Sequence, residues 1–311
     1  MSKVLKEVLR KGPIFFAALP PPRRATPAYV YSTIEKLQEG LSRLPRVAAV
    51  NLPEIVDENH LGLPFYRTYD PREYSQMIRK KLDIEVVVNK VVVHLHSHGD
   101  FLRWAKETIN RYDAHNIVLV GGSSHLRKYP GPNVLEAEGI LSHLFHAEGV
   151  ESGLSGCVTI PSREGEAERL FSKTLAGAFF ATTQIIYDTR AVKNLLLRYD
   201  DLCRTHGVEP ATVLLSFAPI HDDGDLEFVR WLGIEIPEQV ESSVLTGRKD
   251  SVESSIQLAM RLYRDIILFV RRKHIRVPLG VNVEEVSRHN IQAALELAAR
   301  ISKAPPPGAR R

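Results

Sequence analysis

The segment NIVLVG (116–121) is followed by VLEAEGILSHLFHAEG (134–149) and then by SGCVTI (155–160). The first and third pieces are short and contain several β-branched residues, which is typical of buried strands, whereas the longer middle piece has helical spacing of its apolar residues. A strand, a helix and a second strand in this order predict a βαβ unit with parallel strands. This order decides the fold because it recurs along the chain.

Six more short apolar runs bring the number of predicted strands to eight. They are IFFAAL (14–19), VAAVNL (47–52), VVVHLH (91–96), FFATTQIIY (179–187), TVLLSF (212–217) and VPLGVN (277–282). Helical patterns separate them, and eight strand-helix repeats predict a single α/β domain, a (β/α)8 TIM barrel, with a doubly wound open sheet as the alternative. We expect the barrel to occupy residues 1–303 and a flexible, basic, Pro-rich tail to occupy 304–311.

The composition indicates which kind of ligand and which cellular compartment to expect. The net charge of +4 is spread along the chain rather than clustered, which favours anionic small molecules over nucleic acid. Two cysteines, Cys157 and Cys203, support neither a disulfide framework nor a cysteine-based zinc site, and they fit a reducing cytoplasm. The apolar run near the amino end is too short to span a membrane, so no membrane partner is expected.

Three alternating histidines, His94, His96 and His98, follow the third predicted strand. Alternate residues of a strand share a face, so the three imidazoles would line up if the strand ran that far. An HxH pair at a barrel strand end can begin a metal-hydrolase site, and HDD (221–223) offers further ligands. In the alternative, which we favour, one histidine faces the pocket while the others cap the next helix or face solvent. No metal is therefore expected.

The barrel fold itself selects candidate site residues, because ligands bind at the carboxyl ends of the strands and in the loops that follow. That rule gives a set of positions without reference to any family. They are Ala17, Ala18, Asn51, Glu54, His94 to Asp100, Gly121 to His125, Thr159, Gln184, His221, Asp222 and Asn282.

Several of these strand ends, in their order and spacing, resemble the methylenetetrahydrofolate reductase family. The segments that carry the resemblance are GPIFFAALPPP (12–22), VVVHLH (91–96), NIVLVGGSSH (116–125), FATTQIIYD (180–188) and LLSFAPIHDDG (214–224). The resemblance covers most of the chain. It implies a flavin-binding TIM barrel in which reduced flavin passes hydride to the methylene group of a reduced pterin and converts it to methyl.

The resemblance also assigns residues to the two ligands. For the cofactor, FAD, it implies contacts from Asn51, His94, Gly121, Gly122, Ser123, Ser124, His125 and Ile160. For the substrate it implies a contact from Gln184, and the strand-end rule adds Asn282 as a second substrate contact. Independently of the family, GGSSH exposes backbone N–H groups and hydroxyls that suit a phosphate or carboxylate, although a tight turn explains the same residues.

Several positions depart from the family pattern: the family has a threonine where this chain has Asn51 and a tyrosine where it has Ile160. Two further departures affect the supply of protons and charge. The glutamate that serves the family as general acid is Ala17 here, and the aspartate near the flavin is Ser123. Alanine cannot transfer a proton, so we expect the proton to come from Glu54, a nearby carboxylate by topology, or from a histidine, His96 or His98, which can donate at neutral pH. A solvated loop is the alternative explanation for Glu54 and for the neighbouring Asp57.

The predicted function is that of an oxidoreductase of one-carbon metabolism that acts on a reduced pterin or folate-type molecule. Three alternatives remain open: a reductase with another hydride donor and no flavin, a metal-dependent hydrolase built on His94 and His96, and a binding subunit for a partner protein. An electron-donor protein or partner subunit is a further expected partner, and we expect a cytoplasmic homo-oligomer.

Overall fold

The computed structural model describes residues 2–59, 62–122, 127–238, 241–242 and 251–304. Its strands are β1 (Ile14–Ala17), β2 (Val47–Leu52), β3 (Val56–Glu58), β4 (Pro64–Tyr66), β5 (Glu85–Val91), β6 (Asn116–Val120), β7 (Leu154–Thr159), β8 (Phe180–Thr183), β9 (Thr212–Phe217) and β10 (Leu279–Glu284). Its helices are α1 (Ser2–Leu9), α2 (Pro27–Ser42), α3 (Pro71–Lys81), α4 (His98–Asn110), α5 (Val134–Ala147), α6 (Glu166–Ala176), α7 (Thr189–Thr205), α8 (Asp223–Trp231), α9 (Ser251–Lys273) and α10 (Ile291–Lys303).

Eight of the strands form a closed parallel barrel in the order β1, β2, β5, β6, β7, β8, β9 and β10, with β10 pairing back to β1. Strands that follow each other in the barrel are joined by helices, which is the connectivity of a (β/α)8 TIM barrel. The predicted fold is therefore confirmed. The remaining strands, β3 and β4, pair as an antiparallel hairpin in the connection between β2 and α3.

The barrel interior is filled by one apolar layer near its amino end. Its members come from seven of the strands and from α1, and all are buried: Leu5, Leu9, Phe15, Ala49, Val87, Val118, Leu154, Phe180 and Leu214. Strand side chains alternate between the two faces, so residues two or four positions further along also point inward. These positions are at the carboxyl ends of the strands. The outward alternates pack against the helices in a larger cluster.

The strand predictions are most accurate where no polar residue interrupts the core of the apolar run and no apolar turn follows it. The bounds predicted for 47–52 and 212–217 are those observed for β2 and β9. The prediction of a strand over 91–96 is wrong, because β5 ends at Val91 and the chain turns into a short 3-10 helix over Val92–His94. The strand begins at Glu85, earlier than predicted. Its apolar pattern is interrupted by Asn89 and Lys90, which are polar although both are buried.

Most of the predicted tail, residues 305–311, lies outside the described residues. Among the residues that are described, no helix is both long and apolar enough to cross a membrane.

Candidate functional site

A group of polar side chains lines the inside of the barrel at the carboxyl ends of the strands. The Asn282 Nδ2 atom donates to the Ser216 hydroxyl at 3.2 Å and to Oε1 of Glu284 at 3.0 Å. The Oδ1 atom of Asn282 is 3.5 Å from Nδ2 of Asn51, on the far side of β1. We call Asn51, Ser216, Asn282 and Glu284 the mouth cluster. It places amides, a hydroxyl and a carboxyl at the end of the barrel where TIM-barrel enzymes bind ligands.

Glu284 is the acidic member of the mouth cluster. Burial raises its pKa to about 7, although hydrogen bonds from Ser216 and Asn282 act to lower it. A carboxyl group with a pKa near neutrality can both donate and accept a proton under ordinary conditions. The strand predicted for 277–282 ends two residues before Glu284, whereas β10 extends to Glu284, so the predicted strand does not mark this residue as inward-facing.

Some polar atoms in this region have no hydrogen-bond partner among the described residues. They are Oδ1 of Asn51, Oδ1 of Asn89 and the hydroxyl of Tyr187. Asn89 lies on β5 at a position whose side chain points into the barrel. The Tyr187 hydroxyl lies near the Glu284 and Asp225 carboxyls, and burial together with these charges raises the pKa of Tyr187. Buried polar atoms are almost always paired, so unpaired ones inside a barrel mouth are candidates for ligand contacts.

Gln184, the predicted substrate contact, directly follows β8. Its backbone N–H donates to the Thr159 carbonyl at 3.0 Å, and its side-chain Nε2 donates to the Leu232 carbonyl at 3.3 Å. The side chain is half-buried. The carbonyl oxygen of its amide is therefore the group that remains for a ligand at the edge of the mouth.

Glu54, a predicted proton donor, lies against the outside of the barrel wall. Its carboxylate accepts from Lys90 Nζ and from the Val91 backbone N–H, both at 2.8 Å. Lys90 has the outward parity on β5, and its ammonium lies over the rings of Tyr66 and Trp104. Burial raises the pKa of Glu54, while Lys90 lowers it. The structure thus pairs Glu54 with a lysine and does not bring it to the mouth cluster.

His94 and His96, the other histidine candidates, have different surroundings. The His94 side chain is 2% exposed, with Nε2 3.1 Å from Oε1 of Glu58 and the ring edge against Tyr129. Burial lowers the pKa of His94 more than the Glu58 carboxylate raises it. His96 is exposed. The parts of the chain that the structure describes contain no group of three or more His, Cys, Asp or Glu side chains suited to a metal ion.

The expected flavin loop is partly described. Gly121 and Gly122 follow β6 and are half-buried, while Ser123, Ser124 and His125 lie outside the described residues. The Tyr129 ring packs directly on Gly122, where an added Cβ would be 2.3 Å from the ring. The last expected contact, Ile160, donates its backbone N–H to Glu166 Oε1 at 3.1 Å at the start of α6.

These contacts test whether the described residues fit a flavin. A flavin ring packed against His94 and Gly122 needs an open face on each. Glu58 and Tyr129 enclose His94, and the Tyr129 ring covers Gly122. The described residues in this arrangement do not fit a flavin at that place.

Comparison with known proteins supports the architecture. No protein-family model and no curated protein sequence matches the chain. Among solved structures, a Clostridium thermocellum protein described as binding two copies of 5-methyl-5,6,7,8-tetrahydrofolic acid is similar over 96% of this chain and 98% of its own, with a TM-score of 0.78 and 24% identity.

More distant structures share the same barrel. The EDTA monooxygenase of Chelativorans sp. BNC1 has a TM-score of 0.52 at 12% identity, with 94% of each chain covered. A deoxyribose-phosphate aldolase-like protein of Toxoplasma gondii ME49 has a TM-score of 0.53 at 8% identity, covering 96% of this chain and 98% of its own. At these identities the likeness shows that the chain has the fold of these barrels, and function has to be argued from the site.

Proposed function

We propose that the mouth of the barrel binds a reduced folate-type one-carbon carrier and that the protein reduces the carrier's methylene group to methyl. Three observations support the proposal. The mouth cluster lies where TIM barrels bind ligands. The strand-end segments resemble methylenetetrahydrofolate reductases in order and spacing. A structurally similar protein is described as binding the methyl form of such a carrier.

The observation that carries the proposal is the chemistry of the polar groups at the barrel mouth, the mouth cluster together with Asn89 and Gln184. A pterin ring presents N–H donors and ring nitrogen and carbonyl acceptors along one edge, and amide side chains can serve both kinds of group. Asn51 and Asn89 each have an Oδ1 atom without a partner among the described residues, and Gln184 has an amide oxygen at the rim. A few fixed polar groups at a mostly apolar barrel end are what orients a small heterocycle.

The reduction adds a hydride, which carries two electrons, to the methylene carbon. The described residues contain no group that supplies hydride, so the donor is a second molecule. A reduced nicotinamide and a reduced flavin are the two chemical classes to test. The barrel's contribution is to hold the carrier so that the carbon meets the donor in a suitable orientation.

The test is a calorimetric titration of the purified protein with 5-methyltetrahydrofolate, followed by incubation with 5,10-methylenetetrahydrofolate and each hydride donor under anaerobic conditions. We expect saturable binding and formation of the methyl product. Failure of the wild-type protein to bind either carrier would contradict the proposal. Binding without conversion by either donor would leave a carrier-binding protein and would contradict the reductase half.

A matched pair of variants locates the site. Asn282→Ala removes an amide from the mouth cluster, whereas Asn116→Ala removes a buried amide at the amino end of β6, where it donates to Glu85 at 3.0 Å. Loss of one good hydrogen bond to the ligand costs about 1 to 1.5 kcal/mol, or roughly tenfold in affinity. We expect that loss for Asn282→Ala and none for Asn116→Ala. Equal losses would contradict the location.

A further inference from the structure

The strand beside β1 carries a carboxyl group at the position that faces Ala17. In the register of β1 with its two neighbours, Ala17 lies opposite Glu284 of β10 on one side and opposite Asn51 of β2 on the other. All three residues have the inward parity. The small methyl group of Ala17 therefore separates a carboxyl from an amide at the same level of the barrel mouth.

Glu284 differs in chemistry from the other inward side chains at this level. All eight barrel strands are described, and their inward residues toward the carboxyl ends are Ala17, Asn51, Asn89, Val91, Val120, Val158, Thr182, Ser216, Asn282 and Glu284. Glu284 alone in this set has an ionisable side chain. It is also half-buried rather than sealed, so a ligand in the mouth can reach it.

Two other carboxyls near this end, those of Glu54 and Glu285, are held by hydrogen-bond partners outside the barrel interior. Glu54 is held by Lys90 outside the barrel wall. Glu285, the next residue after Glu284, has the opposite parity, and its Oε2 accepts from the Leu19 backbone N–H at 3.0 Å. A further nearby acid, Asp225, is buried on α8, where its Oδ2 accepts from the His221 backbone N–H at 2.8 Å. Among the described strand residues that point into the barrel at this level, Glu284 is therefore the one acid.

We propose that Glu284 is the catalytic acid that opens the methylene-bridged ring of the carrier, taking the role that Ala17 cannot fill. This inference rests on the proposed function. The methylene carbon bridges two nitrogens of the carrier. Glu284 gives its proton to one nitrogen as the bond from that nitrogen to the carbon breaks, and the bonding electron pair stays on the nitrogen. The carbon becomes an iminium cation with the other nitrogen, and Glu284 becomes a carboxylate.

The surroundings of Glu284 suit both halves of this step. Burial holds the pKa of the carboxyl at about 7, so a large fraction carries the proton at neutral pH. After the transfer, the hydrogen bonds from Asn282 and Ser216 stabilise the carboxylate. The ring opening transfers no electrons, so it needs no reductant and can be measured apart from the reduction.

The test measures ring opening by isotope exchange. An opened iminium adds water and releases formaldehyde reversibly, so labelled formaldehyde enters 5,10-methylenetetrahydrofolate at the rate at which the ring opens. The exchange is followed without any hydride donor for the wild-type protein, Glu284→Gln and Glu285→Gln. Glu285 is the matched control, because burial also raises its pKa to about 7 but its side chain points away from the mouth.

We expect the wild-type protein and Glu285→Gln to accelerate exchange equally and Glu284→Gln to lose about 100-fold or more, the usual contribution of a general acid. Glu284→Gln should still show saturable binding of 5-methyltetrahydrofolate, weakened by at most about tenfold if one hydrogen bond to the ligand is lost, and this binding also reports that the variant is folded. Wild-type exchange in Glu284→Gln, or no acceleration by a wild-type protein that binds the methyl carrier, would overturn the role of Glu284. Absence of methyl-carrier binding by the wild type would instead overturn the proposed function.

Discussion

A buried acid far from the mouth makes the stability of the fold depend on pH. Glu138 lies on α5 with none of its surface exposed, close to Ser155 of β7 and Lys173 of α6. Burial raises the pKa of its carboxyl to about 8, although the nearby Ser155 hydroxyl and the Lys173 charge act to lower it. The folded protein therefore keeps Glu138 protonated at neutral pH. Glu138→Gln replaces it with a side chain of similar shape that does not titrate.

The sign and size of the effect follow from proton linkage. In the unfolded chain the carboxyl has its ordinary pKa of 4.5, so the folded state binds more protons between pH 4.5 and about 8. The contribution to the free energy of unfolding is complete below pH 4.5 and is lost as the pH rises through about 8. Each pH unit in this window costs about 1.4 kcal/mol, which gives a loss of order 3 kcal/mol at pH 7 and of order 5 kcal/mol at pH 8.

The assay is urea unfolding of the wild type and Glu138→Gln at several pH values across this window. Glu284 and Glu285 titrate in the same direction, since burial raises both of their pKa values to about 7, but they are present in both proteins and cancel in the difference. Between about pH 5 and pH 8 we expect the wild type to lose several kcal/mol of its free energy of unfolding relative to Glu138→Gln. A difference that does not change with pH would refute the reasoning.

Three further predictions concern individual contacts. Lys90→Met leaves the Glu54 carboxylate buried without its cation and should lower the free energy of unfolding by about 3 to 5 kcal/mol in urea titrations, more than an exposed ion pair would cost. Gly156→Ala places a Cβ 2.6 Å from the Phe180 ring inside the barrel and should cost about 1 to 3 kcal/mol in the same assay. Tyr187→Phe removes a buried hydroxyl with no partner among the described residues, so it should leave the free energy of unfolding unchanged or raise it by up to about 1 to 3 kcal/mol, and a loss would mean that the hydroxyl is paired.

The sequence predicts the barrel well because each βα unit carries its own local signal. β2 and β9 are short apolar runs with prolines close to their ends, Pro53 after β2 and Pro210 and Pro219 around β9, so their limits can be read directly. β5 is harder, since Asn89 and Lys90 break its pattern while the apolar residues after it belong to a 3-10 turn. Local alternation cannot reveal that Lys90 is accommodated by a carboxylate 36 residues away.

The site is predicted less completely, because side-chain surroundings depend on contacts between distant segments. Asn51 and Asn282 were predicted as ligand contacts, and the structure brings them together in the mouth cluster. Glu54 follows β2 closely enough to suggest the mouth, yet its pairing with Lys90 takes it to the other side of the wall. The burial of His94 depends on Tyr129, from the loop after β6, and no pattern near His94 indicates that contact.

The measurement that tests the central claim most directly is a crystal structure of the protein with 5-methyltetrahydrofolate bound. We predict that the pterin ring occupies the carboxyl end of the barrel, within hydrogen-bond distance of Asn282 or Glu284. A carrier bound instead in the groove of about 450 Å³ beside α9 and α10, against Met260, Ile267 and Arg300, with the barrel mouth empty, would contradict it.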